Sequence, residues 1–310
     1  MDIDVSEKYL PVFEALASKV RIQIIHILNE KSMNIKELAE ALNLSSAIMT
    51  MHIRKLEKSG IVHCEMVPSK GAARKMCSLH LDEIRIEFPT QQKKTRESHI
   101  TEVSIGLYTD FEIVPTCGIC TRENVIGVFD DPRYFLDPER VNAKILWFGK
   151  GFVEYKIPNY LLASEMPNEL EISLELGSEA PFANSNWPSD ITFFLNDVNL
   201  GTWTSPGDFA GSKGKLNPDW WFEVVNQYGL LKRLRVTEDG TFMDGLQLSD
   251  VKLKDLNLRQ QQWRFRIAVL DDAEHIGGVT LFGSGFGNYN QDILFKLFYH
   301  KISSPEQRTE

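Results

Sequence analysis

The chain has few cysteines and no long apolar run, and these two features narrow the classes of protein to which it can belong. Its four cysteines, at positions 64, 77, 117 and 120 of 310 residues, are too few and too scattered for a disulfide-stapled secreted fold. No segment approaches the roughly 18 uninterrupted apolar residues of a membrane helix. The first ten residues are acidic and lack the basic-then-apolar order of a signal peptide. We therefore expect a cytoplasmic protein that makes no contact with a membrane.

Groupings that would indicate catalysis or a bound metal are also scarce. No Ser/His/Asp or Cys/His arrangement stands out, so we expect neither enzymatic activity nor a cofactor. Cys117 and Cys120 have zinc-knuckle spacing, but no second pair follows them, and we predict no metal there. The glycine-rich run 283–287 is not followed by the helix that a phosphate loop needs. The neighbouring carboxylates Asp130 and Asp131 are either calcium ligands or parts of a solvated loop.

Basic charge is not in excess over the whole chain, whose net charge is −9. The distribution is uneven, because the first 90 residues carry 12 basic and 12 acidic side chains and the negative excess lies beyond them. Within residues 45–75, six basic side chains stand against two acidic ones. A positive face on a neutral domain can bind phosphates while the acidic remainder keeps the protein soluble.

The beginning of the chain has the apolar spacing of several helices. Residues 5–16 and 18–29 repeat apolar side chains at the helical period. Residues 34–42 begin with Asn34, a good N-cap, and place Glu37 three positions later, as a capping box does. Three helices are therefore predicted before residue 43.

A fourth helix is predicted over residues 46–58, after a break of three residues. Ser45 is suited to cap its first turn, and Gly60 is suited to end it. Two helices joined by so short a turn are typical of a helix-turn-helix, whose second helix enters the major groove of DNA.

A hairpin is predicted directly after this helix. Residues 61–67 and 74–81 alternate as strands do around the turn 68–71, which carries basic side chains at the tip. Cys64 and Cys77 are equidistant from that turn, so their thiols are expected to face each other. They form either a redox or metal pair or two small apolar side chains in the hairpin core. We favour the second interpretation because each lies in its strand's apolar row.

The segment over residues 10–82 resembles the ArsR family of winged-helix regulators. The likeness is carried by AL-x-x-x-x-R-x-x-I-x-x-x-L at residues 15–28, by ELAEAL at 37–42, and by S-x-x-x-M-x-x-H-I-x-x-L-x-x-x-G-I-V at 45–62. The resemblance implies a homodimer that binds a palindromic operator in double-stranded DNA, as repressor or activator, with an effector that changes the affinity for DNA.

Two features depart from the family's pattern. Its metal sensors carry a cysteine pair in the helix before the recognition helix, and NIKELAEAL at residues 34–42 has no thiol, so a soft-metal site is not expected there. The family's final dimerisation helix is replaced by residues 81–88, which continue like a strand. The helix predicted over residues 5–16 could supply a dimer interface instead.

The side chains predicted to contact DNA share an outward or basic position. They are Ser45, Ser46, Ala47, Thr50, Met51, His52, Arg54 and Lys55 at the second helix of the pair, and Lys70 and Arg74 at the hairpin. The Arg54 side chain can reach a guanine edge or a phosphate. His52 contacts DNA or packs locally, and both alternatives are open. The two hairpin cations are expected to touch the DNA backbone or the minor groove, which makes the affinity fall with salt.

The remainder of the chain predicts an antiparallel β-sandwich. Short alternating runs are separated by turn residues, as in a jelly roll. These runs are 145–148, 152–157, 170–176, 191–195, 221–225, 231–236, 263–270 and 293–299. The predicted fold class is thus α+β multidomain, an N-terminal winged helix-turn-helix followed by a jelly-roll-like β-sandwich. The predicted domains are residues 1–88 for DNA binding, 89–144 as linker and connecting subdomain, 145–302 as ligand-sensing sandwich, and 303–310 as a flexible tail.

The sandwich resembles the galactose-binding-like jelly rolls of carbohydrate-binding modules. GFVEYKIP at residues 151–158, SDITFFLN at 189–196 and the closing strand at 293–298 carry the likeness, which implies a sugar or glycoside effector. Five of the six tryptophans lie between positions 187 and 263, and indoles stack on sugar rings while carboxylates and amides take the hydroxyls. The predicted ligand-binding residues are Trp187, Trp203, Asp208, Asn217, Asp219 and Trp220.

Two other functions for the second domain stay open. It could bind a protein partner or hold the protein together as an oligomer, with no small ligand. The four thiols could instead sense a metal or a change of redox state.

Overall fold

A computed structural model describes residues 1–68, 74–81, 84–88 and 96–302. The chain divides into two compact units, Met1–Lys94 and Thr95–Glu310. The predicted tail 303–310 lies outside the described residues, as does the predicted linker over 89–95. In the described part of the chain, no helix has the length and apolar character needed to cross a membrane.

The first unit combines four helices with short strands. In chain order the elements are β1 (Asp2–Asp4), α1 (Leu10–Leu16), α2 (Lys19–Glu30), β2 (Met33–Asn34), α3 (Ile35–Ala41), α4 (Ser46–Lys58), β3 (Val62–Val67), β4 (Arg74–Leu79) and β5 (Arg85–Glu87). The helix predicted over residues 5–16 is shorter than expected and begins at Leu10, because Glu7–Tyr9 forms a 3₁₀ turn. Strand β5 pairs in parallel with β1.

The predicted caps of α3 and α4 are confirmed. The Asn34 side chain accepts hydrogen bonds from the backbone N–H groups of Lys36 and Glu37, at 2.9 and 3.1 Å, while Glu37 accepts from the Asn34 N–H at 2.9 Å. Ser45 accepts from the N–H of Ile48 at 3.3 Å. These side chains satisfy N–H groups that have no partner inside the helix, so both helices begin where the sequence predicts.

The inner faces of the helices form the core of the first unit. Met49, Ile53 and Leu56 of α4 are fully buried and pack with Ile24 of α2 and Leu38 of α3. The spacings of four and then three residues put these α4 side chains on one face. The opposite face of the helix is therefore left to solvent.

The second unit is built from strands. They are β6 (Glu97–Val103), β7 (Asp110–Cys120), β8 (Ile145–Pro158), β9 (Glu165–Gly177), β10 (Ser189–Leu195), β11 (Val198–Ser205), β12 (Leu230–Val236), β13 (Thr241–Met243), β14 (Leu246–Ser249), β15 (Gln262–Val269), β16 (Val279–Phe282) and β17 (Ile293–Lys301). Short 3₁₀ helices cover Ile105–Leu107, Pro132–Leu136, Pro138–Asn142 and Leu253–Leu256.

These strands form an antiparallel sandwich, as predicted. One layer has the order β11-β10-β15-β8-β7 and the other contains β14-β13-β12-β9-β17-β6, while β16 pairs with both β8 and β9. Apolar side chains of the two layers meet in the core, where the rings of Phe265 and Phe295 lie 5.4 Å apart in an edge-to-face arrangement. Large apolar side chains from facing layers supply the burial that such a sandwich needs.

Two parts of the second unit differ from the prediction. Residues 97–120, assigned above to a connecting subdomain, contribute β6 and β7 to the same sheet, because their backbones pair with β17 and β8. The strand predicted over 221–225 is wrong. The Gln227 side-chain amide donates to the carbonyls of Phe222 and Val225, at 2.7 and 2.9 Å, so a side chain satisfies groups that a neighbouring strand would otherwise pair.

Candidate functional site

The outward face of α4 is exposed along its length. The side chains of Ser46, Ala47, Arg54 and Lys55 are exposed, and that of Met51 is 53% exposed. Within the part of the chain that the structure describes, neither Arg54 nor Lys55 has an ion-pair partner. Because unpaired cations on an exposed helix can neutralise phosphates, this face is a candidate nucleic-acid interface.

Two predicted contact residues are engaged inside the protein. The Thr50 hydroxyl donates to the Ser46 carbonyl at 2.7 Å, within the helix itself. The half-buried His52 accepts at Nδ1 from Nη1 of Arg21, at 3.4 Å. Burial lowers the pKa of His52, and the positive charges of Arg21 and Lys55 lower it further. His52 therefore links α4 to α2 as a neutral ring.

Arg21 is anchored from the other side. Its Nε donates to the Ala15 carbonyl at 2.7 Å and its Nη2 to the Glu14 carbonyl at 2.6 Å, at the end of α1. A guanidinium with several donors in a rigid fork can hold three segments at once. The arginine of the sequence motif thus positions the helix that presents the exposed face.

The hairpin adds one described cation to this surface. Arg74 at the start of β4 is exposed and has no ion-pair partner among the residues that the structure describes, while Lys75 is paired with Glu57 of α4 at 2.7 Å. Lys70, the other predicted contact, lies outside the described residues. The ion pair joins the hairpin to the C-terminal part of α4.

The two hairpin thiols face each other, as predicted. Cys64 and Cys77 are directly opposite across β3 and β4, and their sulfur atoms lie 3.0 Å apart. Burial raises the pKa of Cys64 and takes that of Cys77 far above its usual range. Because only the thiolate is an effective nucleophile, this pair is poorly suited to react at neutral pH.

The six predicted ligand-binding residues of the second unit do not converge on one site. Trp203 lies on β11 against the core, with Nζ of Lys232 4.7 Å from its ring. Asp219 is exposed and pairs with Lys213 at 2.9 Å. Trp187 is 37% exposed and lies outside the lining of the cavity described below.

Two more of the six serve the local structure of the loop before β12. Buried Asn217 donates to the Gln227 carbonyl at 2.8 Å and accepts from the N–H of Gly287 at 2.8 Å. Trp220 donates from Nε1 to the Arg122 carbonyl at 2.7 Å, and its ring packs edge-on against Trp221. Their polar groups are used by the protein itself.

Asp208 is the predicted residue that does line a cavity. This cavity has a volume of about 300 Å³ and lies at one end of the sandwich. Its lining residues are Thr116, Phe129, Asp130, Trp147, Glu179, Ala180, Pro181, Phe182, Asp208, Trp221, Val225 and Asn226. The lining thus combines aromatic walls with three carboxyl groups and an amide.

The aromatic walls are held in place by contacts with one another. The Trp147 ring lies 5.3 Å from Phe129 and 6.1 Å from Trp221, both edge-on. Trp221 donates from Nε1 to the Asn226 carbonyl at 2.8 Å. Phe182, in contrast, is 81% exposed at the rim. The cavity therefore has a floor of packed indoles and two accessible aromatic side chains, Phe182 and the 42%-exposed Phe129.

The floor depends on a glycine. A side-chain carbon at Gly118 of β7 would lie 2.2 Å from the ring of Trp147 on the adjacent β8. No contact that short is tolerated, so any larger residue would force the indole to move. Gly118 thereby sets the position of the Trp147 ring.

Glu179 and Asp208 are held by neutral groups. Glu179 accepts hydrogen bonds from Nδ2 of Asn226 and the Thr280 hydroxyl, both at 3.0 Å. Asp208 accepts from the Ala180 N–H at 3.2 Å. Burial raises the pKa of Asp208 to about 7; burial and then the charge of Asp208 raise the pKa of Glu179 to about 8. Both groups therefore titrate close to neutral pH.

The sequence analysis missed Glu179, Trp147, Trp221 and Asn226. Glu179 follows the end of β9 and Trp147 lies near the start of β8, while Trp221 belongs to the run misassigned as a strand and Asn226 directly follows it. No local pattern joins these four residues. The sequence did contain one indication of Glu179. This acidic residue comes just after a buried strand and just before Ala180-Pro181, where the chain passes from the core into a loop. Asp130, noted above beside Asp131, accepts from the Cys117 N–H at 2.9 Å. In the described part of the chain, no group of three or more His, Cys, Asp or Glu could hold a metal ion.

Comparison with known proteins gives a family for the first unit. Residues 18–63 match the family described as "Bacterial regulatory protein, arsR family". An uncharacterized HTH-type transcriptional regulator of Methanocaldococcus jannaschii is 38% identical over 63 residues, which are 20% of this chain and 66% of that protein. Less than a quarter of this chain is therefore aligned with that curated relative.

Solved structures resemble each unit separately. HlyU from Vibrio cholerae is 23% identical and covers 24% of this chain and 77% of its own, with a TM-score of 0.22. The CBM36-1 domain of a multidomain xylanase, from the hindgut metagenome of Trinervitermes trinervoides, is 9% identical and covers 64% of this chain and 96% of its own, with a TM-score of 0.28. The capped helix pair, the hairpin that follows it and the family match agree: residues 18–63 are a helix-turn-helix domain of the arsR family of bacterial regulatory proteins.

Proposed function

We propose that the protein is a transcription regulator that binds double-stranded DNA through α4 and the β3–β4 hairpin. One observation carries the proposal: α4 buries one face in the core of an arsR-family domain and leaves Arg54 and Lys55 exposed, without ion partners among the residues that the structure describes. A helix of this kind can enter a major groove while cations beside it take the phosphates. We propose that the protein acts as a homodimer on a palindromic operator, in the cytoplasm, where its four free thiols stay reduced.

The contact residues have different proposed roles. Arg54 contacts a base edge or a phosphate from the middle of the helix, and Ser46 and Lys55 contact phosphates. Arg74 contacts the backbone from the hairpin, and the same role for Lys70 stays a prediction. The Thr50 hydroxyl is already donated to the helix backbone, so its proposed part is limited to accepting.

We propose that the cavity of the second unit holds the effector, by binding without catalysis. Concave sites with mostly apolar walls and a few polar groups are the usual places for small ligands. Its two indoles, three carboxyl groups and one amide are side chains of the kinds that bind sugars, so we propose a carbohydrate. Of the residues predicted from the sequence, Asp208 keeps this role in the proposal.

The DNA part is tested with the full chain. Duplexes of about 20 base pairs, long enough for two half-sites, are selected from a random library on the immobilised protein. The affinity for a selected, fluorescein-labelled duplex is then measured by anisotropy over a range of salt concentrations. We expect binding that weakens steeply with salt.

Two substitutions locate the surface. Arg54→Ala is expected to weaken binding by about 1–3 kcal/mol and to relax the sequence preference, whereas Arg74→Ala weakens all duplexes alike and lowers the salt slope by about one. Lys254→Ala, which removes an exposed charge from the second unit, is the matched control and leaves binding unchanged. If the wild-type protein retained no duplex at low salt, the DNA-binding proposal would be wrong.

A further inference from the structure

The ionisable side chains that line the cavity are all acids. Asp130, Glu179 and Asp208 face it, and no lysine, arginine or histidine is among the described residues of its lining. Carboxyl groups that share a small space raise one another's cost of ionisation. The described lining of the cavity therefore carries acidic groups with no basic side chain to balance them.

Two other buried carboxylates of the same unit, Glu154 and Glu169, have cationic partners, whereas the buried Glu175 is held by backbone N–H groups. Glu154 pairs with Arg266 at 2.9 Å, and Glu169 pairs with Arg235 at 2.6 Å and Arg96 at 2.7 Å. Glu179 and Asp208 have no such partner in the described part of the chain, and their hydrogen-bond donors are neutral. A buried carboxylate is costly without a counter-charge. These two groups thus lack the cation that Glu154 and Glu169 have, and unlike Glu175 they line a cavity.

The walls add a preference for a ring. Trp147 and Trp221 present aromatic surface beside the carboxyl groups, and Phe182 extends it at the rim. Aromatic faces bind the apolar face of a sugar ring and also attract a cation. A volume of about 300 Å³ is at the lower end for ligand pockets, which suits a single ring.

We propose that the cavity binds an amino sugar, a single pyranose ring that carries a protonated amine. The ammonium group lies at Glu179 and Asp208 and donates to their carboxylates, while the ring rests on the indole walls. This inference rests on the proposed effector role of the cavity and narrows its ligand from carbohydrates in general to cationic ones.

Binding of a cation has a consequence for protons. Burial raises the pKa of Asp208 to about 7 and of Glu179 to about 8, so these carboxyl groups hold protons at neutral pH. The other titratable groups that face these carboxyls are Asp130 and the buried thiol of Cys117, whose pKa is raised to about 12 and which stays neutral. An ammonium ion favours the ionised carboxylates, so protons are released to the buffer on binding.

The test is titration calorimetry on the full chain with matched ligands. D-Glucosamine, D-galactosamine and D-mannosamine supply the cation on three ring stereochemistries; D-glucose and N-acetyl-D-glucosamine are neutral counterparts, and cyclohexylamine is a cationic ring without hydroxyls. We expect at least one hexosamine to bind about tenfold or more tightly than the other three ligands. Titrations in two buffers of different ionisation enthalpy are expected to reveal proton release for that hexosamine and none for glucose.

Variants place the site. Glu179→Gln and Asp208→Asn keep the shape of the protonated acid and remove the charge, and each is expected to weaken the hexosamine about tenfold. Phe182→Ala changes an exposed rim residue, folds as the wild type does, and is expected to weaken it about threefold. Glu274→Gln, which removes an exposed carboxyl outside the cavity, is the control and leaves the affinity unchanged.

Two results would overturn the inference. Hexosamines that bind no better than glucose would remove the cationic ligand, and cyclohexylamine that binds as tightly as a hexosamine would remove the sugar. The selected duplex separates the two proposals. A protein that binds DNA and ignores hexosamines disproves the amino sugar alone, whereas a protein that binds hexosamines and no duplex disproves the regulator.

Discussion

The two units prepare their candidate sites in opposite ways. In the first unit, a single helix buries one face and offers the other, so the site lies on a surface and its cations stay in water. In the second, the cavity is lined by loops and strand ends that are separated by up to 110 residues, and Asp208 lies buried in it while Asp130 stays exposed. An exposed charge costs little to keep, while a buried one without a counter-ion is costly. The comparison teaches that the burial of charged groups, and not their number, raises the free-energy cost of maintaining a site.

The largest effect is expected from removing core side chains, which tests whether the units are also separate in stability. Leu56→Ala in the first unit and Leu297→Ala in the second each shorten a buried isobutyl side chain to a methyl group and are expected to cost about 2–5 kcal/mol. Each variant should lower one unfolding transition in calorimetry and leave the other in place. If either substitution moved both transitions equally, the units would unfold as one.

The second effect is on the pH dependence of stability, and it tests the contrast between buried acids in the second unit and exposed cations in the first. Burial raises the pKa of Glu175 and Asp208 to about 7 and of Glu179 to about 8. The folded state therefore binds these protons more tightly than the unfolded chain, so the free energy of unfolding falls as pH rises from about 5 to about 8. We expect the melting temperature of the second unit to fall over this range in thermal scans.

Glu179→Gln is expected to flatten part of that slope, because an amide does not titrate. Glu274→Gln, an exposed position, is the control and keeps the slope. An unchanged slope in the Glu179 variant would show that this carboxyl does not carry a raised pKa.

A smaller effect is expected at the start of α3, where the contribution of the Asn34 N-cap to the stability of the first unit is tested. Asn34→Ala removes the acceptor for two backbone N–H groups and is expected to lower the stability of the first unit by about 1 kcal/mol. Urea denaturation followed by helical circular dichroism measures it. Asn43→Ala is a poor control because Asn43 has φ of +53°; Gln23→Ala, exposed within α2, is the better one. A loss that equalled this control would mean that the cap contributes nothing.

The smallest effect is expected at the hairpin thiols. Since burial raises the pKa of both Cys64 and Cys77, little thiolate exists at neutral pH. Cys64→Ser should leave the affinity for the selected duplex unchanged within about twofold. Anisotropy with and without hydrogen peroxide tests the point. An affinity that peroxide abolishes in the wild type and spares in the variant would favour redox sensing.

The units also differ in how much their sequences predict. The caps at Asn34 and Ser45 act over three residues, so the bounds of α3 and α4 could be predicted from neighbouring letters. The cross-hairpin pairing of Cys64 with Cys77 followed from counting outward from one turn. Signals of this range are present in the sequence itself.

The cavity could not be predicted in this way. Its residues meet because strands and loops far apart in the chain come together, and residue spacing carries no record of that meeting. The run 221–225 alternates as a strand does, yet the amide of Gln227 takes two of its carbonyls. A side chain only two and five positions further along the chain decided the outcome there, because it satisfies carbonyls that a neighbouring strand would otherwise pair. The β-sandwich itself was predictable because its alternation repeats over many strands.

The hydrogen atom that serves as the side chain of Gly118 has a consequence for how this protein can diversify. A methyl group at that place would collide with the indole of Trp147, so a lineage that acquired alanine there would also have to reshape the wall on which a ligand rests. Glycine at 118 and tryptophan at 147 should therefore be inherited together. Related chains that keep both Gly118 and Trp147 would bind ligands of the same shape. Chains that lose either residue would bind ligands of a different shape.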